Sequence, residues 1–256
     1  MPKGTRGDAA PWFVLSTTFA AVLIAVVAFC ASSTVTAQSV TPSPRGQPES
    51  LIQVPTTLSG GAEGLAETTI QAVDWDYWLA TNPNIVAWVT VPGTAIDHPI
   101  VQATADDPTY YLTHDVYGNW NRYGCAYVDA GCDGLQGIST VVFGHNMGLS
   151  TNSMFADFAK FSDEAFARGH PLIIVQTPQE TIWLRVSAAE IVEGTEQAKR
   201  TNFADIDEMR AWFAERFAQA DVKLENDEEA ERLITFVTCS YTTYDNERTL
   251  VYAQPA

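Results

Sequence analysis

Leu233-Ile-Thr-Phe-Val-Thr-Cys-Ser-Tyr241, followed a few residues later by Arg248-Thr-Leu-Val-Tyr252, decides how this chain is read. Both runs are β-branched and aromatic, the composition of pleated, buried strands. Cys239 falls at the mouth of the first strand, beside a loop, where a thiol is held rigidly and can still be reached. Arg248 opens the second strand, so pairing of the two would return a guanidinium to the thiol. Far upstream, Val141-Val-Phe-Gly-His-Asn-Met147 repeats the design, an apolar strand that ends at His145. Cys239, His145 and Arg248 are therefore the candidate active site.

These three side chains suit one chemistry. The thiolate is the nucleophilic form of cysteine, and an ordinary thiol is mostly protonated at neutral pH. A nearby histidine can take that proton and later protonate a leaving amine. Arginine stays protonated, so beside a thiol its use is electrostatic, to stabilise an oxyanion or hold a substrate carbonyl. Together they describe acyl transfer through a thioester. Taken singly, a cysteine in an apolar strand is usually a small core residue, and a histidine at a strand end is usually structural. Their shared placement at strand ends lifts the set.

Composition narrows the partners. The 256 residues suffice for one domain with a sizeable core plus an appendage. A formal net charge of −17 argues against nucleic acid, which needs a basic footprint, and against broad docking on anionic lipid. His98, His114 and His170 stand among many carboxylates, but their spacings match no metal-ligand pattern, and neither metal nor cofactor is expected. Four cysteines are too few for a disulfide scaffold. Cys125 and Cys132 could still bridge in an exported domain if their Cα atoms come within about 7 Å, which Gly131 and Gly134 would permit.

The N-terminus reads as an export segment. Lys3 and Arg6 precede an uncharged run centred on Phe19-Ala-Ala-Val-Leu-Ile-Ala-Val-Val-Ala-Phe29. Residues 1–11 are expected in the cytoplasm, 12–37 as a transmembrane signal anchor, and the remainder outside. The rival is a cleaved signal peptide, for which Val35-Thr-Ala37 resembles the cleavage site; the length of the apolar core favours the anchor. Residues 38–68, rich in Ser, Thr, Pro, Gly and Gln, read as a flexible linker, and 69–256 as the catalytic domain.

Within that domain, Asp74 to Ala80 reads as a short helix with acidic residues at its first turn, and Asn82-Pro83 as the start of a further helical turn. Strands are expected at 86–91, 96–101, 123–128 and 140–143, with a turn at Pro92-Gly93. Residues 153–161 have the spacing of a short amphipathic helix. Residues 172–175 and 181–186 read as a hairpin across Pro178-Gln179, its second arm continuing through Ile191. Phe203, Ile206, Met209, Trp212, Phe213 and Phe217 lie at helical spacing and predict a helix that packs one face on the body, and 221–231 reads as an acidic, solvated segment. About eight strands with few helices and no strand–helix alternation predict a mainly β fold, a closed or nearly closed barrel.

Thr238-Cys239 at a strand end, with Arg248 opening the next strand, resembles the sortase signature Thr-Leu-x-Thr-Cys followed by Arg. In Thr235-Phe-Val-Thr-Cys239, Phe236 stands where sortases usually have Leu. Gly144-His-Asn-Met147 followed by Met154-Phe155 resembles the histidine segment of class B sortases. So do Asn82-Pro-Asn-Ile-Val-Ala-Trp88, Gly93-Thr-Ala-Ile-Asp-His-Pro-Ile-Val-Gln102 and Tyr110-Tyr-Leu-Thr-His114, with His98 where an aromatic such as Tyr is expected. The resemblance covers about 72–253. It implies a membrane-anchored cysteine transpeptidase on an eight-stranded sortase barrel. Cys239 would attack a Thr carbonyl in a sorting signal, of Asn-Pro-x-Thr-like or Leu-Pro-x-Thr-like type. His145 would be the acid/base and Arg248 the oxyanion partner, with Thr238, Asn146 and Ser240 contacting substrate. A peptidoglycan or pilin-lysine amine would release the product. An exported cysteine peptidase that uses water, and a silent surface-anchored binding barrel, are the alternatives.

Overall fold

A computed structural model of the chain describes residues 51–52, 70–148, 153–194, 199–240 and 246–256. The expected membrane anchor and all of the expected linker except Leu51–Ile52 lie outside the described residues. Among the described residues no helix is long and apolar enough to cross a membrane.

Leu51–Ile52 (β1) pairs with Ile70–Gln71 (β2). The barrel is built from eight further strands: Ile85–Thr90 (β3), Asp97–Gln102 (β4), Ala126–Val128 (β5), Ser139–Phe143 (β6), Leu172–Gln176 (β7), Thr181–Glu193 (β8), Leu233–Cys239 (β10) and Glu247–Pro255 (β11). Val222–Lys223 (β9) is a two-residue strand on the side of β8. Round the ring the order is β11, β10, β6, β5, β4, β3, β7, β8, and β8 pairs again with β11. That last pairing closes the sheet and leaves the ring without an edge. Two contacts in the ring are parallel, β6 with β10 and β4 with β5. Register shifts by one residue between Tyr252 and Ala253 on β11, where Ser187 of β8 is the extra residue, and this bulge bends the long closing ladder.

The main core fills with the apolar faces of these strands. Phe155, Phe158 and Phe161 are fully buried in it, and the Phe158 ring stacks on Phe236 of β10 at 4.8 Å. Each such ring removes enough apolar surface from water to contribute about 1.5–3 kcal/mol. A second cluster lies around Trp78, Trp88, Tyr111, Cys125 and Tyr127. It is capped by the helix Trp75–Thr81 (α1), whose start is fixed by Asp74 accepting a bond from the Tyr77 N–H at 3.0 Å.

The helix Ile206–Gln219 (α3) docks on the closing strands through Met209 and Phe213, the latter 5.3 Å from the Tyr252 ring. A buried ionic group pins it. Arg216 donates to both carboxylate oxygens of Glu190, at 3.0 and 2.5 Å, and the Tyr252 hydroxyl donates to Glu190 as well. Burial, reinforced by the neighbouring Glu190 charge, raises the Tyr252 phenol well above its ordinary range and keeps it a donor.

Three sequence expectations change, and one further helix is added. Asn82 caps the end of α1 and starts no new helical turn, because its amide donates to the Val116 carbonyl at 2.9 Å and to the Tyr111 hydroxyl. The strand expected from 123 begins at Ala126, since Gly124 has φ +59 and the Cys125 N–H bonds the Tyr111 carbonyl outside any ladder. The amphipathic helix expected at 153–161 is a 3-10 helix over Ala156–Ser162 that packs on β8, β10 and β11. Ala156, Asp157, Phe158, Ala159 and Phe161 are all buried, so it has no solvent face across those positions. A short helix, Glu164–Gly169 (α2), follows it, started by Asp163 accepting from the Phe166 N–H.

Candidate active site

Cys239 is the last residue of β10, and the antiparallel ladder pairs it directly with Arg248. On the other side β6 runs parallel to β10, with Phe143 against Val237. The Gly144 N–H continues that ladder to the Val237 carbonyl at 3.1 Å. Counting two residues on from Phe143 and Val237 brings His145 level with Cys239. Neighbouring strands lie about 4.8 Å apart, and alternate residues share a face. Arg248 and Cys239 thus share a rung of the sheet, and His145 follows two residues beyond the end of the adjacent strand β6. Gly144 faces the Phe155 ring on the opposite side. Cys239, His145 and Arg248 are all half-buried.

The segment after β6 is tied to β10. The Thr238 hydroxyl donates to the Gly144 carbonyl at 2.9 Å, and the Asn146 amide donates to the Cys239 carbonyl at 2.7 Å. The Asn146 oxygen accepts the Gly148 N–H at 2.9 Å. Ser240 shares a 2.6 Å bond with the Thr249 hydroxyl. Thr238, Asn146 and Ser240 are buried, and these polar groups are engaged within the protein. These bonds tie the segment after β6 to β10, and β10 to β11. Met154, bridged to Asn146, takes φ +53, an unfavourable angle for a residue with a side chain. His98 bonds the Met154 carbonyl at 3.2 Å and supports it there.

His145 has a second anchor. Its Nε2 donates to the Leu112 main-chain carbonyl at 2.8 Å. A main-chain acceptor has no side-chain signature, so this partner was not legible in the sequence. The one signal near it was the Tyr110 to His114 motif, whose 3-10 turn Tyr110–Leu112 carries the carbonyl. A cavity of about 350 Å³ opens by the same turn, lined by Asn82, Asp107, Tyr111 and Tyr117 among others. None of Cys239, His145 and Arg248 lines it.

The other histidines bind main-chain oxygens. His114 Nδ1 lies 2.9 Å from the Tyr110 carbonyl, with its ring stacked on Tyr110, and His170 Nδ1 lies 2.8 Å from the Phe166 carbonyl. The bridge that sequence allowed between Cys125 and Cys132 is not formed, and both are free thiols. They sit in different clusters, Cys125 beside Trp88 and Tyr127, Cys132 in the main core. Burial pushes the Cys125 thiol up to about 12 and raises Cys132 as well.

Comparison with known proteins converges on one family. Residues 89–256 match the Sortase domain. A sortase B of Listeria monocytogenes is 36% identical over 91 residues, 35% of this chain and 35% of that protein. A sortase B of Staphylococcus aureus is 23% identical over 161 residues, 62% of this chain and 64% of that protein. These alignments span about a third, and just under two thirds, of the relatives' lengths. The solved structure of Clostridium perfringens sortase B has the same fold, with a TM-score of 0.64 at 23% identity over 71% of this chain and 98% of that one. With its closed eight-stranded barrel and its match from β3 to the C-terminus, the chain belongs to the sortase family and is class B-like.

Proposed function

We propose that this sortase is a membrane-anchored cysteine transpeptidase acting outside the cell. The observation that carries the reading is the direct pairing of Cys239 with Arg248, with His145 just past the end of the strand that flanks β10 on its other side. The Cys239 thiolate adds to the carbonyl carbon of a Thr in a C-terminal sorting signal. Arg248, across the ladder, balances the charge that develops on the carbonyl oxygen. As the tetrahedral intermediate collapses, the C–N bond breaks and His145 gives its proton to the leaving amine. The acyl group is left as a thioester on Cys239. An amine of peptidoglycan or of a pilin lysine then attacks the thioester, His145 takes the amine's proton, and the C–S bond breaks to release the Cys239 thiolate. The chain's apolar N-terminal run would anchor it, with residues 38–68 holding the barrel off the bilayer.

Peptides carrying Asn-Pro-x-Thr or Leu-Pro-x-Thr, incubated with the full chain and an added amine, test this. Cleavage after Thr with ligation of the amine is expected. Cys239→Ala should abolish turnover, and Arg248→Ala should lower it by about 10²–10³. A Cys239→Ala protein that still ligates would sink the proposal. Hydrolysis that no added amine diverts into ligation would favour the water-using peptidase.

A further inference from the structure

We propose that the Leu112 carbonyl sets the tautomer and ring orientation of His145, and that Gly124 is the positioning residue that lets it do so. This rests on reading His145 as the acid/base. A carbonyl oxygen only accepts hydrogen bonds, so at 2.8 Å the His145 Nε2 carries a proton in both the neutral and the cationic ring. The neutral ring is therefore the Nε2–H tautomer. The lone pair that takes and returns the reaction's proton is on Nδ1, and the bond to Leu112 fixes the angle at which the ring presents it.

The carbonyl is itself rigidly placed. The Leu112 N–H bonds the Thr109 carbonyl at 2.9 Å, and the Thr113 N–H bonds the Tyr110 carbonyl at 3.2 Å. Downstream chain then closes over the turn: the Asn121 N–H bonds the Thr113 carbonyl at 2.8 Å and the Cys125 N–H bonds the Tyr111 carbonyl at 2.9 Å. Gly124 lies at that crossing. A Cβ there would sit 2.3 Å from the Tyr111 oxygen and 2.9 Å from the Leu112 oxygen, and its φ of +59 already disfavours a side chain. Neither obstacle is the end of a flexible side chain; both are main chain. A side chain at 124 must push away the peptide that holds His145. Gly118, in the same segment at φ +77, supplies the control, because a Cβ there comes no nearer than 3.5 Å, to the Tyr110 hydroxyl.

The chain has four histidines, so ¹⁵N-histidine labelling of the full chain gives few signals, and His145→Gln assigns one set. The parent protein should show neutral His145 as the Nε2–H tautomer. Gly124→Ala should convert it to a mixture and slow acylation by a sorting peptide by about 100-fold, the scale expected when a reacting group shifts by about 1 Å, with KM little changed. Gly118→Ala, equally strained but without the collision, should keep both tautomer and rate. An Nδ1–H tautomer in the parent, or Gly124→Ala with parental tautomer and rate, overturns the proposal. Should Gly124→Ala fail to fold, the parent spectrum still decides. A His145→Gln protein that ligates at the parental rate would instead refute the acid/base reading, whatever the tautomer.

Discussion

Gly144→Ala adds a single methyl group next to His145, and the structure says what it meets. The new Cβ would lie 2.4 Å from Cγ, 2.5 Å from Cδ2 and 2.9 Å from Cδ1 of Phe155. Carbon atoms rest about 3.5–4 Å apart, so ring or strand must retreat by about 1 Å. The ring has little room, being fully buried and packed edge-on to Phe158 at 4.8 Å and to Phe236 at 6.2 Å. Overpacking of this kind costs about 1–3 kcal/mol, and the immobility of the ring puts the expected loss at about 2–3 kcal/mol. The strand is equally constrained, since Gly144 bonds Val237 through its N–H and Thr238 through its carbonyl. Whatever shift it makes passes to His145. Urea unfolding would measure the stability loss, and peptide ligation the loss of activity. Phe155→Ala removes all three colliding atoms, so the double variant should be more stable than the sum of the two single effects by at least about 1 kcal/mol. A Gly144→Ala protein within about 0.5 kcal/mol of the parent, or a strictly additive double variant, would refute this reasoning.

Three further outcomes follow from the same geometry. Glu190→Ala leaves Arg216 and the Tyr252 hydroxyl without their buried partner, and urea unfolding should register a loss of about 3–5 kcal/mol; a loss under about 1 kcal/mol would mean that the pairing does not hold α3. Burial lowers the His98 pKa below its ordinary 6.5, against the opposing pull of Asp97. Below about pH 6.5 the unfolded chain therefore takes a proton that the folded chain refuses, so stability falls on acidification by up to about 1.4 kcal/mol per pH unit until the folded pKa is reached; His98→Gln should flatten that part of a stability–pH curve, and an unchanged slope would contradict the assignment. Among the described thiols, Cys239 should be alkylated by iodoacetamide at pH 7.5 while Cys125 and Cys132 stay protected, as peptide mapping of the folded protein would show; labelling of Cys125 at a comparable rate would contradict its burial.

The barrel was largely legible because it rests on period and composition. Leu233 to Cys239, Ile85 to Thr90 and Leu172 to Gln176 are dense in β-branched residues, and each is a strand. The placement of Cys239, His145 and Arg248 at or just past strand ends was legible for a related reason, since a polar residue there shows up as a break in an apolar run. What escaped was set by tertiary contact. Residues 156–162 form a 3-10 helix with its apolar positions buried on more than one side, because β8, β10 and β11 enclose them, and a helical-face pattern cannot distinguish that from amphipathicity. The hydrogen-bond partners of Asn146 and Ser240, which are Cys239, Gly148 and Thr249, are brought in by register and have no local signature. The support for His145 comes from a carbonyl on a distant turn, which no residue type announces. Cys125 and Cys132 are close in sequence, but their clusters differ.

The thioester at Cys239 is the step on which the proposed transpeptidation depends. Intact-mass analysis of the full chain, quenched in acid during turnover of an Asn-Pro-x-Thr or Leu-Pro-x-Thr peptide, should show a gain equal to the acyl fragment ending in Thr. Peptide mapping should place that gain on Cys239, and hydroxylamine should discharge it. Turnover of the peptide with no such adduct, or with the adduct on another residue, would contradict the account.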